Sequence, residues 1–170
     1  MRSVTPQGFA SVGPKAQGPA VAVLRTRPLV FSGKGRTPTL FINAVGADHI
    51  SLAVLDPVTG KPLEGLDHDN YTGGAQGMKD SERLEVRWAS HVGPDLTPLS
   101  KVQGKRIVLE VRFSDVASRL YSFWFANDRC GASNGWVAAG GIGFNASRDT
   151  VGLRHADPTC EAAEGVGEHR

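Results

Sequence analysis

Residues 104–125, Gly-Lys-Arg-Ile-Val-Leu-Glu-Val-Arg-Phe-Ser-Asp-Val-Ala-Ser-Arg-Leu-Tyr-Ser-Phe-Trp-Phe, constrain the fold more than any other part of the chain. Ile107, Leu109, Val111 and Phe113 fall on one side of an extended backbone, and Arg106, Val108, Glu110 and Arg112 fall mostly on the other. That is the period of a strand with one dry and one wet side. Tyr121, Phe123 and Phe125 then alternate with Leu120, Ser122 and Trp124, too aromatic on both sides for a strand that faces water. A short polar stretch separates the two, so they read as a hairpin. A hairpin this apolar needs a second layer to bury it, which makes the chain a β packing unit first.

The same period recurs upstream. Val21 to Phe31 carries strand formers interrupted by Pro28, the mark of an edge position or a bulge. Thr39 to Ala44 and His49 to Asp56 are the next strands, the second with Ile50, Leu52 and Val54 on one side. Asp56-Pro57-Val58-Thr59-Gly60 is a turn, with Pro setting φ near its start and Gly free to take positive φ near its end. Arg83 to Trp88 alternates with Leu84, Val86 and Trp88 inward, and one helical turn is expected within Pro94 to Leu99. No helical run of three turns occurs. Short strands divided by turn signals predict an all-β, antiparallel two-sheet β-sandwich of the jelly-roll or concanavalin-like kind, with an irregular C-terminal tail. The expected divisions are an N-terminal segment and link (1–20), the sandwich (21–126), a Gly-rich extension packed on it (127–154) and a disordered tail (155–170).

Length and charge narrow the function classes. The 170 residues suffice for one domain with a real core. A formal charge of +2, with basic residues scattered along the chain, argues against a nucleic-acid partner, which needs a clustered basic stripe. No apolar run approaches the ~20 residues that span a bilayer, so no membrane partner is expected. The first residues lack the apolar core of a secretory signal, so the sequence reads as intracellular or as a piece of something longer. Cys130 and Cys160 can pair or stay free, and no Cys/His spacing suggests zinc.

Candidate chemistry is sparse, and no cofactor is implied. Asp67, Asp69 and Asp80, near Asn70, form an oxygen-rich set that a calcium ion can use, although Asp and Asn also fill such loops simply as turn residues. The spacing is not that of an EF-hand. The histidines at 49, 68, 91, 155 and 169 sit in no recognisable signature. Gly131-Ala132-Ser133-Asn134-Gly135 has the Gly-x-Ser-x-Gly spacing of a nucleophile elbow but lacks the strand before and the helix after it. Gly140 to Phe144 is Gly-rich without being a phosphate loop. Tyr71, Trp124 and Trp136 are aromatic candidates for holding a sugar, set against the ordinary use of such residues in cores.

Several short motifs occur in one order: Gly8-Phe9-Ala10-Ser11, Thr26-Arg27-Pro28-Leu29, Leu40-Phe41-Ile42-Asn43, Leu55-Asp56 with Gly60-Lys61-Pro62-Leu63-Glu64-Gly65, and Leu120-Tyr121-Ser122-Phe123. This order resembles the C-terminal β-sandwich of five-bladed-propeller proteins related to glycoside hydrolase family 32, the levanase and invertase-like group often labelled sialidase-like. Ala132 to Gly141 is similar to the segment that follows the sandwich in some members, so the resemblance covers about residues 7–143. One departure is Thr5-Pro6-Gln7, where the family pattern has Arg-x-Asp before Gly-Phe. In such proteins the catalytic carboxylates lie in the propeller, so the resemblance implies no catalytic residue here.

The sequence thus predicts a non-catalytic accessory module of a glycoside-hydrolase-like protein, with a propeller domain or carbohydrate as partner. Two alternatives stand beside it. One is an independent carbohydrate-binding module using Tyr71, Trp124 or Trp136. The other is a small hydrolase using Ser133 or Cys130 with His155.

Overall fold

The structure, a computed structural model, describes residues 10–31, 38–73, 80–89 and 98–126. Its regular elements are strands: β1 (Ala22–Arg25), β2 (Thr39–Val45), β3 (Ile50–Leu55), β4 (Asp80–Val86), β5 (Val108–Phe113) and β6 (Arg119–Ala126). Two 3-10 turns, Ala47–His49 and Pro98–Val102, interrupt them, and no α-helix occurs among the described residues. The strands form two antiparallel three-stranded sheets, ordered β1-β5-β3 and β4-β2-β6. The chain is all-β.

Consecutive strands never share a sheet. The expected hairpin of 104–125 is therefore not one: β5 is the centre of the first sheet and β6 an edge of the second. The reason is the apolar load that suggested the hairpin. Strands that each carry a dry face can bury it by facing one another across a core as well as by pairing edge to edge. The connection over Ser114–Ser118 is held against the end of β2, where the Ser118 hydroxyl donates to the Gly46 carbonyl at 3.3 Å. Gly46 has φ of 62°, and a Cβ there would meet Ser118 Oγ at 3.1 Å, so this corner needs glycine for both reasons.

The alternation read from the sequence sets the core. Leu40, Ile42 and Ala44 of β2, Ile50, Leu52 and Val54 of β3, Leu84 and Val86 of β4, and Leu109, Val111 and Phe113 of β5 are buried in one cluster. Trp88 joins it, and its indole N–H donates to the Leu52 carbonyl at 3.1 Å, fastening the end of β4 to the other sheet. Phe31 stacks on Phe125 with ring centroids 4.1 Å apart. Deleting one such side chain, as in Leu52→Ala, typically removes about 2–5 kcal/mol of stability.

β6 departs from simple alternation. Ala44 pairs with Leu120 but Asn43 pairs with Ser122, so Tyr121 is an extra residue, a β-bulge. The bulge shifts parity within one strand. It lets Leu120 share the core side with Phe123 and Phe125, where unbroken alternation would put Tyr121. β4 has a matching irregularity, since Ile42 pairs with Leu84 while Ala44 pairs with Ser81. Before β1, Val12 forms a bridge to Leu120 on the edge of β6. Beyond Pro28, Leu29 pairs with Ile107 and so continues β1 along β5.

Candidate functional site

The densest polar cluster among the described residues lies on the outer face of the β1-β5-β3 sheet. Alternation turns Glu110 and Arg112 of β5 away from the core. Register sets Arg25 of β1 beside Glu110, with Ala53 of β3 on its other side and Ser51 beside Arg112. The segment after β3 then runs back along that strand's free edge. Leu63 N donates to the Val54 carbonyl and Val54 N to the Leu66 carbonyl, both at 2.8 Å, and Leu66 dips into the core. This return carries His68 over the sheet. Glu110, expected on a wet side, is only 2% exposed. The correction has a physical cause: β5 is central, so neighbours on both flanks and a returning loop cover its outer face.

Glu110 is the hub. Its Oε2 accepts from Arg25 Nε at 2.6 Å, and its Oε1 accepts from Arg112 Nε at 3.1 Å, with Arg112 Nη2 3.0 Å away as an ion pair. His68 Nε2 lies 3.0 Å from Oε1, and His68 Nδ1 lies 2.9 Å from Ser51 Oγ. Burial pushes the Glu110 carboxyl up, but the hydrogen bonds from Arg25 and His68 and the two guanidinium charges outweigh it and hold it below the usual range. Burial also acts first on His68 and pushes it down, assisted by the Arg112 charge and opposed by the Glu110 hydrogen bond and the Glu110 and Asp67 charges. At neutral pH the pair is thus an ionised carboxylate and a neutral imidazole. An ionised carboxylate only accepts, so His68 Nε2 carries the proton and Nδ1 accepts from the Ser51 hydroxyl.

Ser51, His68 and Glu110 are in the hydrogen-bond order of a nucleophile, base and orienting acid. A working base must become imidazolium during the reaction. Here burial and Arg112 disfavour that cation, and the Glu110 charge is already shared with two guanidiniums. The chain of bonds fixes the loop to the sheet.

The residues singled out from sequence lie elsewhere or beyond the description. Tyr71 pairs with Trp88, its ring edge-on at 6.4 Å, and its buried hydroxyl has no hydrogen-bond partner among the described residues. Burial pushes that phenol up to about 12. Trp124, half-buried, stacks on Phe41 at 5.6 Å on the outer face of the other sheet. Asp67 Oδ1 accepts from Asn70 N and Nδ2 at 2.8 and 2.9 Å, and Oδ2 from Nδ2 at 2.8 Å. Burial raises the Asp67 carboxyl, and the Asn70 bonds more than offset this and lower it. Asp67 thus works as a turn residue. Asp69 is exposed in the same turn, while Asp80 opens β4 opposite Val45. Among the described residues no three His, Cys, Asp or Glu side chains gather to hold a metal ion. Trp136, Ser133, Cys130 and His155 lie outside the described residues, as do the proposed extension and tail.

Sequence reasoning missed the Glu110 cluster. One signal was present: a carboxylate two residues from an arginine on a strand apolar enough to be central. The approach of Arg25 and His68, 85 and 42 residues away, had no local signature. No protein-family model, curated protein or solved structure matches this chain.

Proposed function

We propose that this chain is a non-catalytic accessory module of a glycoside-hydrolase-like protein. In this reading the two sheets close face to face as a jelly-roll-type β-sandwich, and the module packs against a propeller domain that carries the catalytic groups. The observation that supports it is the Glu110 cluster, the densest polar arrangement among the described residues: Glu110 is held by Arg25 and Arg112 and joined through His68 to Ser51, so the bonds tie a loop to the sheet. The motifs behind the family resemblance are consistent with this, since they fall at structural positions. Leu40 to Asn43 lie within β2, the centre of its sheet. Leu55 to Gly65 form the turn and the return along β3, and Leu120 to Phe123 form the bulged half of β6. Asp56 shapes that turn by accepting from Val58 N and Thr59 N, each at 2.8 Å. Expressed alone, the chain is expected to give β-type circular dichroism and no turnover of fructosides or sialosides. Turnover of either substrate by the purified chain would overturn the proposal.

A second reading, an independent carbohydrate-binding module, draws support from Trp124. Its ring lies nearly parallel to Phe41, with an interplanar angle of 18°, outside the core. Trp136 and Tyr71 are the other aromatics proposed for it. Quenching of tryptophan fluorescence by neutral oligosaccharides separates the two readings, because a domain that serves only to pack gives no saturable signal.

A further inference from the structure

We propose that Arg25 and Arg112 form a subsite for an oxyanion, the carboxylate or sulfate of an acidic sugar, on the outer face of the β1-β5-β3 sheet. Both guanidiniums grip the same carboxylate from different sides, so they are close neighbours fixed by one anchor. The anchor is itself fixed: Glu110 is 2% exposed and is also held by His68, which is held by Ser51. The arginines differ from it in being open to solvent, at 59% and 46% exposed. The negative charge lies beneath the two positive ones, so the three groups together carry one net positive charge.

Donors remain available. Arg25 gives Glu110 only its Nε, which leaves the Nη1/Nη2 fork without a partner among the described residues. Arg112 uses Nε and Nη2, which leaves Nη1. A guanidinium fork matches the two oxygens of a carboxylate or sulfate, and one already immobilised loses little further freedom on binding. Val23, 54% exposed, stands beside Arg112 in register and two residues before Arg25, giving the pair an apolar flank for the body of a sugar ring. This inference depends on neither a propeller partner nor the aromatic platform of Trp124.

The test is an NMR titration of the full-length ¹⁵N-labelled chain, reading arginine Nε–Hε resonances, with sulfate, galacturonate, trigalacturonate and neutral galactose. Saturable shifts at Arg25 and Arg112 with the anions and none with galactose are expected. Binding should weaken at least about fivefold in R25Q and in R112Q, as removal of a charge-assisted fork demands. V23E, which puts a competing carboxylate beside Arg112 and leaves the bonds to Glu110 intact, should abolish the shifts, so the test survives if either arginine variant unfolds. Tighter binding of trigalacturonate than of galacturonate assigns the site to a glycan, and equal binding assigns it to a free acid; both support an oxyanion subsite. No saturable shift at these two side chains, or anion binding that persists in V23E and the folded arginine variants, would overturn it.

Discussion

The two sheets treat their outer faces in opposite ways. On the β1-β5-β3 sheet a buried carboxylate is surrounded by donors, with Arg25, Arg112 and His68 on Glu110. On the β4-β2-β6 sheet the centre of the outer face is Phe41, 2% exposed and stacked on Trp124. Thr39 Oγ1 and Asn43 Oδ1, on the same side of β2 as Phe41, are buried without a hydrogen-bond partner among the described residues. One face concentrates charge and satisfies it; the other is aromatic and, among the described residues, leaves two polar atoms unsatisfied. Burial by itself therefore says little about stability: a paired buried charge resists removal of its partners, whereas an orphaned hydroxyl is better replaced by a methyl group.

Breaking the charged face should have the largest effect. The double variant R25Q/R112Q leaves the Glu110 carboxylate buried with His68 alone, and chemical denaturation should show a loss of about 3 kcal/mol, the low end for a buried charge stripped of its partners. A loss under about 1 kcal/mol would show that the carboxylate is readily hydrated. On the aromatic face, W124A should cost about 2 kcal/mol, from lost burial and lost stacking on Phe41. T39V should act in the other direction and raise stability by about 1 kcal/mol, since it removes an unpaired buried hydroxyl at constant shape. A destabilised T39V would mean that Oγ1 has a partner in solution.

The smallest effect is a difference in acid sensitivity. The folded protein holds His68 below its ordinary 6.5, so the unfolded chain takes up that proton first and stability falls as pH drops below 6.5. Glu110 is held below 4.5, so its contribution is present above that pH and is lost as pH falls further. Both groups make acid destabilising, in two successive windows. Melting temperatures of the parent and of H68Q between pH 7.5 and 5.5 should diverge at the upper end and converge at the lower.

Much of the fold was legible because alternation is a local property. Ile50/Leu52/Val54, Leu84/Val86/Trp88 and Leu109/Val111/Phe113 announced their buried sides, and Asp56 to Gly60 announced its turn. Partner choice was not legible. Nothing near Phe113 or Arg119 says that the chain crosses to another sheet between them, and the Tyr121 bulge is invisible in a run where both sides are apolar. The site was hardest to see for the same reason. Glu110 reads as an ordinary wet-side residue until a strand 85 positions earlier and a loop 42 positions earlier are laid over it.

The order of synthesis meets an obstacle in this strand plan. β2 finds β4 well before β6 exists, so the second sheet starts as a pair. β1 and β3 are made early yet lack the strand that joins them until Val108–Phe113 leaves the ribosome, because that late strand sits between them. Until then β3 has only the return of residues 61–66 along one edge, and the first sheet waits for one six-residue insertion, which makes nascent chains ending before residue 108 natural clients of chaperones.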